Sequence, residues 1–233
     1  MSLPVAILAG GLATRLRPIT EKIPKSLIDI DGKPFIIRQL EYLRNQNITH
    51  IVLCLGYLGD QVKTIVGDGT DFGMKVNYSF DGPHLLGTGG ALKQALPLLG
   101  EHFFVFYGDS YLPIDFREVE QNFLLSGKSA LMTVLKNDGQ WDKSNVLYTN
   151  HNIIEYNKQT PKVEMAYIDY GLGILSASIL RNTPIKKPFD LADIYHQLSI
   201  QGLLAGQEVF ERFYEIGSHK GLQETINYFK QIK

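Results

Sequence analysis

Val5-Ala6-Ile7-Leu8-Ala9-Gly10-Gly11 is a short apolar run that stops abruptly at small residues. An unbroken apolar run of this length, with no alternation of polar residues, fits a parallel strand covered on both faces. Moving outward, Pro34–Gln46 carries Phe35, Ile36, Ile37, Leu40 and Leu43 at helical spacing, and Pro34 suits a first helical turn. Strands are expected at Ile51–Leu55, Val76–Phe80 and Phe103–Tyr107, with helices over Leu58–Val66 and Gly89–Leu96 between them. Alternating strands and helices predict an α/β fold: a three-layer α/β/α sandwich on a mostly parallel, Rossmann-like central sheet. Ligands of such folds bind at the carboxyl ends of the strands, here Leu8–Gly11 and Gly108–Asp109.

The second half is less regular. It predicts a helix over Phe116–Leu125, strands at Ala130–Leu135, Asn145–Thr149 and Ile153–Tyr156, and a strand bent at Gly171 and Gly173 within Ala166–Leu175. A helix over Leu191–Ile200, a strand at Phe213–Ile216 and a closing helix over Leu222–Ile232 complete it. With no linker or repeat visible, residues 1–233 read as one domain, in which about 116–233 adds strands and a substrate-facing lobe to the core laid down by about 1–115.

Composition narrows the function classes. The 233 residues are 44% hydrophobic and 20% charged, with 23 basic and 24 acidic residues and a net charge of −1. Such a balance generates no field that would draw the chain to nucleic acid or an anionic membrane. The single cysteine, Cys54, excludes an intrachain disulfide and a cysteine-based metal site. No apolar run approaches the ~18–20 residues of a membrane span, and no signal peptide is visible at Met1–Leu8, so a cytoplasmic location is expected.

The loop after the first run reads Leu8-Ala-Gly-Gly-Leu-Ala-Thr-Arg-Leu-Arg-Pro-Ile-Thr-Glu-Lys-Ile-Pro-Lys25. Glycines 10 and 11 allow a tight turn with N–H groups facing inward, which favours anionic oxygen. Thr14 adds a hydroxyl, Arg15 a fork that can hold two phosphate oxygens, and Lys25 a compact charge. These are parts for gripping a di- or triphosphate. A P-loop would need a Gly-Lys pair, and a dinucleotide fingerprint would need Gly-x-Gly-x-x-Gly; both are missing here.

In order and spacing this segment resembles the signature of the sugar-phosphate nucleotidyltransferases, Gly-Gly-x-Gly-Thr-Arg-Leu-x-Pro-x-Thr-x-x-x-Pro-Lys. The match covers Gly10, Gly11, Thr14, Arg15, Leu16, Pro18, Thr20, Pro24 and Lys25, and Gly32-Lys33-Pro34 fits the family's Gly-Lys-Pro. Ala13 departs from it by replacing a glycine, and it keeps the turn if its φ is negative. The resemblance places Leu8, Ala9, Gly10, Gly11, Ala13 and Thr14 against the nucleotide, with Arg15 and Lys25 as the catalytic cations. It extends to Leu86-Gly87-Thr88-Gly89-Gly90-Ala91, similar to the family's nucleobase turn, where Gly87 and Thr88 would meet the base. Asp81 lies where relatives place a base-reading side chain. A carboxylate only accepts hydrogen bonds, and guanine offers N–H donors, so Asp81 favours GTP.

Gly108-Asp109 resembles the family's metal motif, and Glu215 sits where relatives carry an aspartate before Ile-Gly. The resemblance implies that Asp109 and Glu215 bind Mg²⁺ through oxygen. Asn157-Lys158 replaces the family's Glu-Lys: Lys158 would hold the sugar phosphate, with Asn145, Asn157 and Gly171 on the sugar side. What is implied is sugar 1-phosphate plus NTP giving NDP-sugar and pyrophosphate, in look closest to the short heptose or mannose 1-phosphate guanylyltransferases. The attacking phosphate has a second pKa near ~6 and is mostly ionised at neutral pH, so no general base is needed. Positioning and charge neutralisation carry the catalysis. The partners expected are an NTP and a sugar 1-phosphate, with no nucleic acid and no membrane, and self-association is left open. Two other readings stay open: a non-catalytic homologue that binds nucleotide or NDP-sugar and regulates a partner, and a nucleotidyltransferase with a non-sugar phosphate acceptor.

Overall fold

In a computed structural model, residues 2–141, 143–183 and 188–232 are described. The opening apolar run is strand β1, Val5–Leu8. It lies in a sheet between two parallel neighbours, β2 (His50–Leu55) and β4 (His102–Tyr107), with β3 (Lys75–Phe80) outside β2. Leu8 pairs with Cys54 on one side and Tyr107 on the other, and Leu55 pairs with Phe80. This register brings the segments that follow the four strands (Ala9–Gly11, Gly56, Asp81 and Gly108-Asp109) to one edge of the sheet.

Both faces of β1 are covered, which is why its sequence does not alternate. Val5 and Ile7 join a core with Ile36, Leu40 and Leu43 of helix α1 (Phe35–Asn45), Val62 and Val66 of α2 (Gly59–Val66), and Phe116, Val119 and Phe123 of α4 (Phe116–Ser126). Ala6 joins a second core with Ala91, Leu92 and Ala95 of α3 (Gly87–Ala95), Leu180 of α5 (Ala177–Asn182), and Leu191, Ile194, Tyr195 and Leu198 of α6 (Leu191–Ile200).

The mostly parallel sheet expected from the sequence is corrected to a mixed one. The parallel run β3-β2-β1-β4 continues through β9 (Tyr167–Ser176), antiparallel to both β4 and β6 (Ala130–Lys136). β10 (Leu204–Val209) then runs parallel to β6, and the hairpin of β7 (Val146–Thr149) and β8 (Asn152–Tyr156) closes the far edge. The first four strands are joined through helices and must run parallel, whereas β9 is entered from a hairpin and has no such constraint. β10 escapes the sequence reading because Leu-Ala-Gly-Gln-Glu-Val lacks a strand's composition. Its glycine is required by packing: a Cβ on Gly206 would stand 2.7 Å from Ile153 and Tyr148.

A third core holds the loop after β1 in place. Leu16 is fully buried with Ile28, Ile30, Phe35, Tyr111, Ile216 and Phe229, the last from helix α7 (His219–Gln231). Burying such a side chain contributes about 1.5–3 kcal/mol. The expected strand 213–216 shortens to β11 (Tyr214–Glu215), paired with β5 (Ser110–Tyr111), the segment directly after Asp109. That pairing, with Ile216 N–H donating to the Asp109 carbonyl at 2.9 Å, sets Glu215 beside Asp109.

Candidate active site

Two clefts open at the carboxyl edge of the parallel strands, and Tyr107 and Asp109 belong to both. The first, of about 210 Å³, is lined by Leu8, Ala9, Gly10, Gly11, Lys25, Asp81, Leu85, Gly87 and Thr88, with Ser26, Cys54, Ala91 and Gly108 completing the wall. The second, of about 630 Å³, lies towards the second half of the chain. It is lined by Arg15, Asn145, Lys158, Asp169, Gly171, Arg212, Glu215 and Glu224 among others. The backbones at the edge are in close contact: a Cβ at Gly56 would stand 2.6 Å from the Gly10 carbonyl oxygen, and one at Gly108 2.7 Å from Ala9 Cβ.

Ala13 corrects the sequence reading. Its φ is +48° and its ψ +42°, the left-handed conformation a glycine would take there. The turn survives because the Ala13 carbonyl accepts from Thr20 Oγ1 at 2.8 Å and Leu16 N–H at 3.1 Å. Thr20 and Leu16 are thus explained as props of the loop. An L-residue in this region is disfavoured by about 1–2 kcal/mol, and glycine's larger unfolded-state entropy offsets about 0.4–1 kcal/mol of that. Ala13→Gly is therefore expected to hold or slightly raise Tm, and Ala13→Val to lower it. Thermal melts check this, and a clear destabilisation by Ala13→Gly would contradict it.

Other sequence-proposed residues fall into two sets. Arg15, Lys25, Asp81, Asp109, Lys158 and Glu215 line the clefts with their side chains. Thr14 and Asn157 line neither cleft. The Thr88 hydroxyl donates to Asp190 at 2.7 Å and accepts from Leu191 N–H at 2.8 Å, pinning α3 to α6. Asn157 Oδ1 accepts from Thr160 N–H at 2.9 Å and so caps its own loop. Asn145 lines the second cleft while its Oδ1 accepts from Asp169 N–H at 3.2 Å.

Lys25 Nζ forms an ion pair with Asp109 Oδ2 at 2.6 Å. Glu215 accepts from the N–H groups of Gly217 and Ser218 and from the Ser218 hydroxyl, at the start of α7. The point a Cβ on Gly217 would occupy is 3.0 Å from Glu215 Oε2, 3.1 Å from Asp109 Oδ2 and 3.8 Å from Lys25 Nζ. Two carboxylates from different elements thus border one small space beside a cation. A hard divalent ion that takes a few protein oxygens and keeps waters or phosphate oxygens fits this donor set. Among the described residues, no group of three or more His, Cys, Asp and Glu side chains gathers as a metal site.

In the first cleft, Asp81 Oδ2 accepts from Leu86 N–H at 3.2 Å, and burial raises its pKa. Cys54 lies on the floor, where burial pushes the thiol up to about 12, so it stays neutral and unreactive. In the second cleft the sequence reading missed Asp169. Burial raises its carboxyl from 3.8 to about 6, against the lowering influence of Gly171 N–H and Lys158. The signal was available as a lone acid in the apolar stretch Ala166–Leu175, two residues before a glycine. A raised folded-state pKa means that stability is greatest when the group is protonated, and is lost as pH rises from 3.8 through about 6. Asp169→Asn removes this dependence, so its stability relative to the parent protein is expected to climb across that window. Denaturant titrations at several pH values measure it, and a flat difference would refute it.

A cleft at the switch point between β1 and β4, joined at Asp109 to a second polar cleft, sits on an α/β fold of the nucleotide-sugar transferase kind. The family model described as nucleotidyl transferase matches residues 5–142, and the chain belongs to that family. It is 28% identical over 210 residues to D-glycero-alpha-D-manno-heptose 1-phosphate guanylyltransferase of Campylobacter jejuni, covering 89% of this chain and 91% of that one. It is 29% identical to mannose-1-phosphate guanyltransferase beta-A of Xenopus laevis over 92% of this chain and 61% of that one. N-acetylmuramate alpha-1-phosphate uridylyltransferase of Neisseria meningitidis is 42% identical over 111 residues, 47% of this chain and 48% of that one. The crystal structure of HddC from Yersinia pseudotuberculosis with GMP-PN superposes with a TM-score of 0.79 at 27% identity, covering 98% of this chain and all of that one. Among the described residues, no helix is long and apolar enough to cross a membrane.

Proposed function

We propose that this protein transfers a nucleotidyl group from an NTP to a sugar 1-phosphate, releasing pyrophosphate, and that GTP with a heptose or mannose 1-phosphate is its substrate pair. The observation that carries this reading is the pair of clefts meeting at Asp109, one bordered by the loop after β1 and the other by Lys158. The nucleotide half, about 1–115, supplies the first cleft, and the half from about 116 to 233 most of the second. Their packing on one sheet supports reading the chain as a single α/β/α domain.

The base lies in the first cleft, against Gly87 and Leu85, with Asp81 accepting N–H donors of guanine. Arg15 and Lys25 hold the triphosphate and offset the charge that develops on the departing pyrophosphate. Lys158 orients the acceptor phosphate, whose oxygen attacks the α-phosphorus in line. Asp109 and Glu215 would hold Mg²⁺, which supplies charge neutralisation between the two anionic substrates. Lys25 neutralises Asp109 in the free protein, so binding of nucleotide with metal would release it to the phosphates.

A panel of common NTPs against mannose, heptose and glucose 1-phosphates and phosphocholine, read by pyrophosphate release, tests the assignment. Highest turnover with GTP and a manno-configured acceptor is expected. Preference for UTP would overturn the role given to Asp81, and turnover with phosphocholine alone would favour a non-sugar acceptor.

A further inference from the structure

We infer that Gln39, on the buried face of α1, is the positioning residue of Asp109: its carboxamide holds the main chain on both sides of that residue and so sets where the carboxylate stands between the two clefts. The inference rests on the reading of Asp109 as the metal-anchoring carboxylate and names the group behind it.

Helix α1 turns Phe35, Ile36, Gln39, Leu40 and Leu43 inward. This spacing is the apolar stripe of an amphipathic helix, where leucine or isoleucine would serve packing at every position. Gln39 is nonetheless a carboxamide with no exposed surface. Burying such a group is costly unless its hydrogen bonds are made. Its Nε2 donates to the Ser110 carbonyl at 2.7 Å and to the Tyr107 carbonyl at 3.2 Å. Its Oε1 accepts no hydrogen bond from the described residues. The satisfied half of the group is the half that faces the turn, so two donors on one nitrogen are what the position uses.

The turn gives those donors their purpose. β4 ends at Tyr107 and β5 begins at Ser110 in a different sheet, so Gly108-Asp109 is the link where the chain changes sheet. Residues 107–110 are all held through the main chain. Gly108 N–H donates to the Leu8 carbonyl at 2.9 Å, and the Asp109 carbonyl accepts from Ile216 N–H at 2.9 Å. Gln39 holds the carbonyls on either side of that pair. Lys25 grips the Asp109 carboxylate from the front at 2.6 Å, but incoming phosphates would draw Lys25 away. Gln39 lines neither cleft and lies behind the turn, so its hold persists when nucleotide and metal bind. Groups that orient a metal-binding side chain from behind govern metal affinity.

The test measures the affinity of the intact protein for GTP in Mn²⁺ and in chelator, and the ratio gives the metal's contribution. Gln39→Met keeps the length of the side chain and removes both donors. It is expected to shrink that ratio roughly 10- to 100-fold, with the affinity in chelator unchanged. Gln39→Glu keeps the shape and, when protonated, one donor, so it should fall between; it decides by the same criterion if Gln39→Met does not fold. Leu40→Val, from the same buried face, loosens α1 without touching the turn. It should lower Tm and leave the ratio at the parent's value. A ratio unaltered in Gln39→Met, or lowered as much by Leu40→Val, would overturn the inference. If the parent gains nothing from Mn²⁺, the metal reading of Asp109 fails by itself, and amide hydrogen exchange decides. Faster exchange at 107–111 and 214–217 in Gln39→Met than in Leu40→Val supports the hold on the turn, and equal exchange overturns it.

Discussion

Asp109→Ala is expected to lower kcat by about three orders of magnitude, a loss of several kcal/mol of transition-state stabilisation, with the fold kept. Among the described residues Asp109 is the one acidic side chain that lines both clefts, and on the proposed function the triphosphate and the acceptor phosphate would meet there. Removing it takes away the carboxylate that would anchor the divalent ion and leaves two anions facing each other. The structural consequence is small. The Lys25 and Asp109 side chains are 23% and 31% exposed, and a pair this open contributes at most about 1 kcal/mol. The Asp109 backbone keeps its bond to Ile216 N–H whatever the side chain. Steady-state kinetics with circular dichroism and thermal melts check both halves, and unchanged turnover in Asp109→Ala would remove Asp109 from the metal site.

Arg15→Ala is the second large effect, and it separates function from stability more cleanly. Arg15 makes no hydrogen bond or ion pair with the described residues, yet it lines the acceptor cleft. The loop that carries it is held by neighbours: Leu16 is buried in the third core, and Thr20 bonds the Ala13 carbonyl. Substitution should therefore leave Tm within a degree or two. Loss of the guanidinium from the transferring phosphates should reduce kcat about 10²–10⁴-fold. Arg15→Lys should recover only part of this, because an ammonium cannot reproduce the bidentate fork. Wild-type rates in Arg15→Ala would place the catalytic cation elsewhere.

The legible part of this fold is the part whose physics is local. β1 to β4 and their helices show in the sequence because both faces of the sheet are covered and each strand is followed within two residues by glycine or aspartate. The second half depends on pairings that local sequence does not encode. β10 carries Gly206 because tertiary packing of Tyr148 and Ile153 overrides strand propensity. The site divides in the same way. Arg15 and Lys25 come from the ordered loop motif and Asp109 and Lys158 from short matches further along, and all four line the clefts. Asp169 shows in the sequence only as a lone acid in an apolar stretch, and its place in the cleft depends on a register shift between β6 and β9. Of the ligand groups named from the sequence, Thr88 lines the first cleft with its hydroxyl bonded between α3 and α6, and Asn157 lines neither cleft and closes its own loop. Ala13 shows a third case, in which the family's glycine conformation persists without the glycine.

The central claim is nucleotidyl transfer from an NTP to a sugar 1-phosphate. Phosphorus NMR of the protein with GTP, Mg²⁺ and mannose 1-phosphate carrying ¹⁸O in the C1–O–P bridge follows both the bonds formed and the bonds kept. The account predicts equal amounts of pyrophosphate and GDP-sugar, with the bridging ¹⁸O retained beside the sugar phosphorus. Release of inorganic phosphate in place of pyrophosphate, or loss of the bridging label from the product, would contradict it.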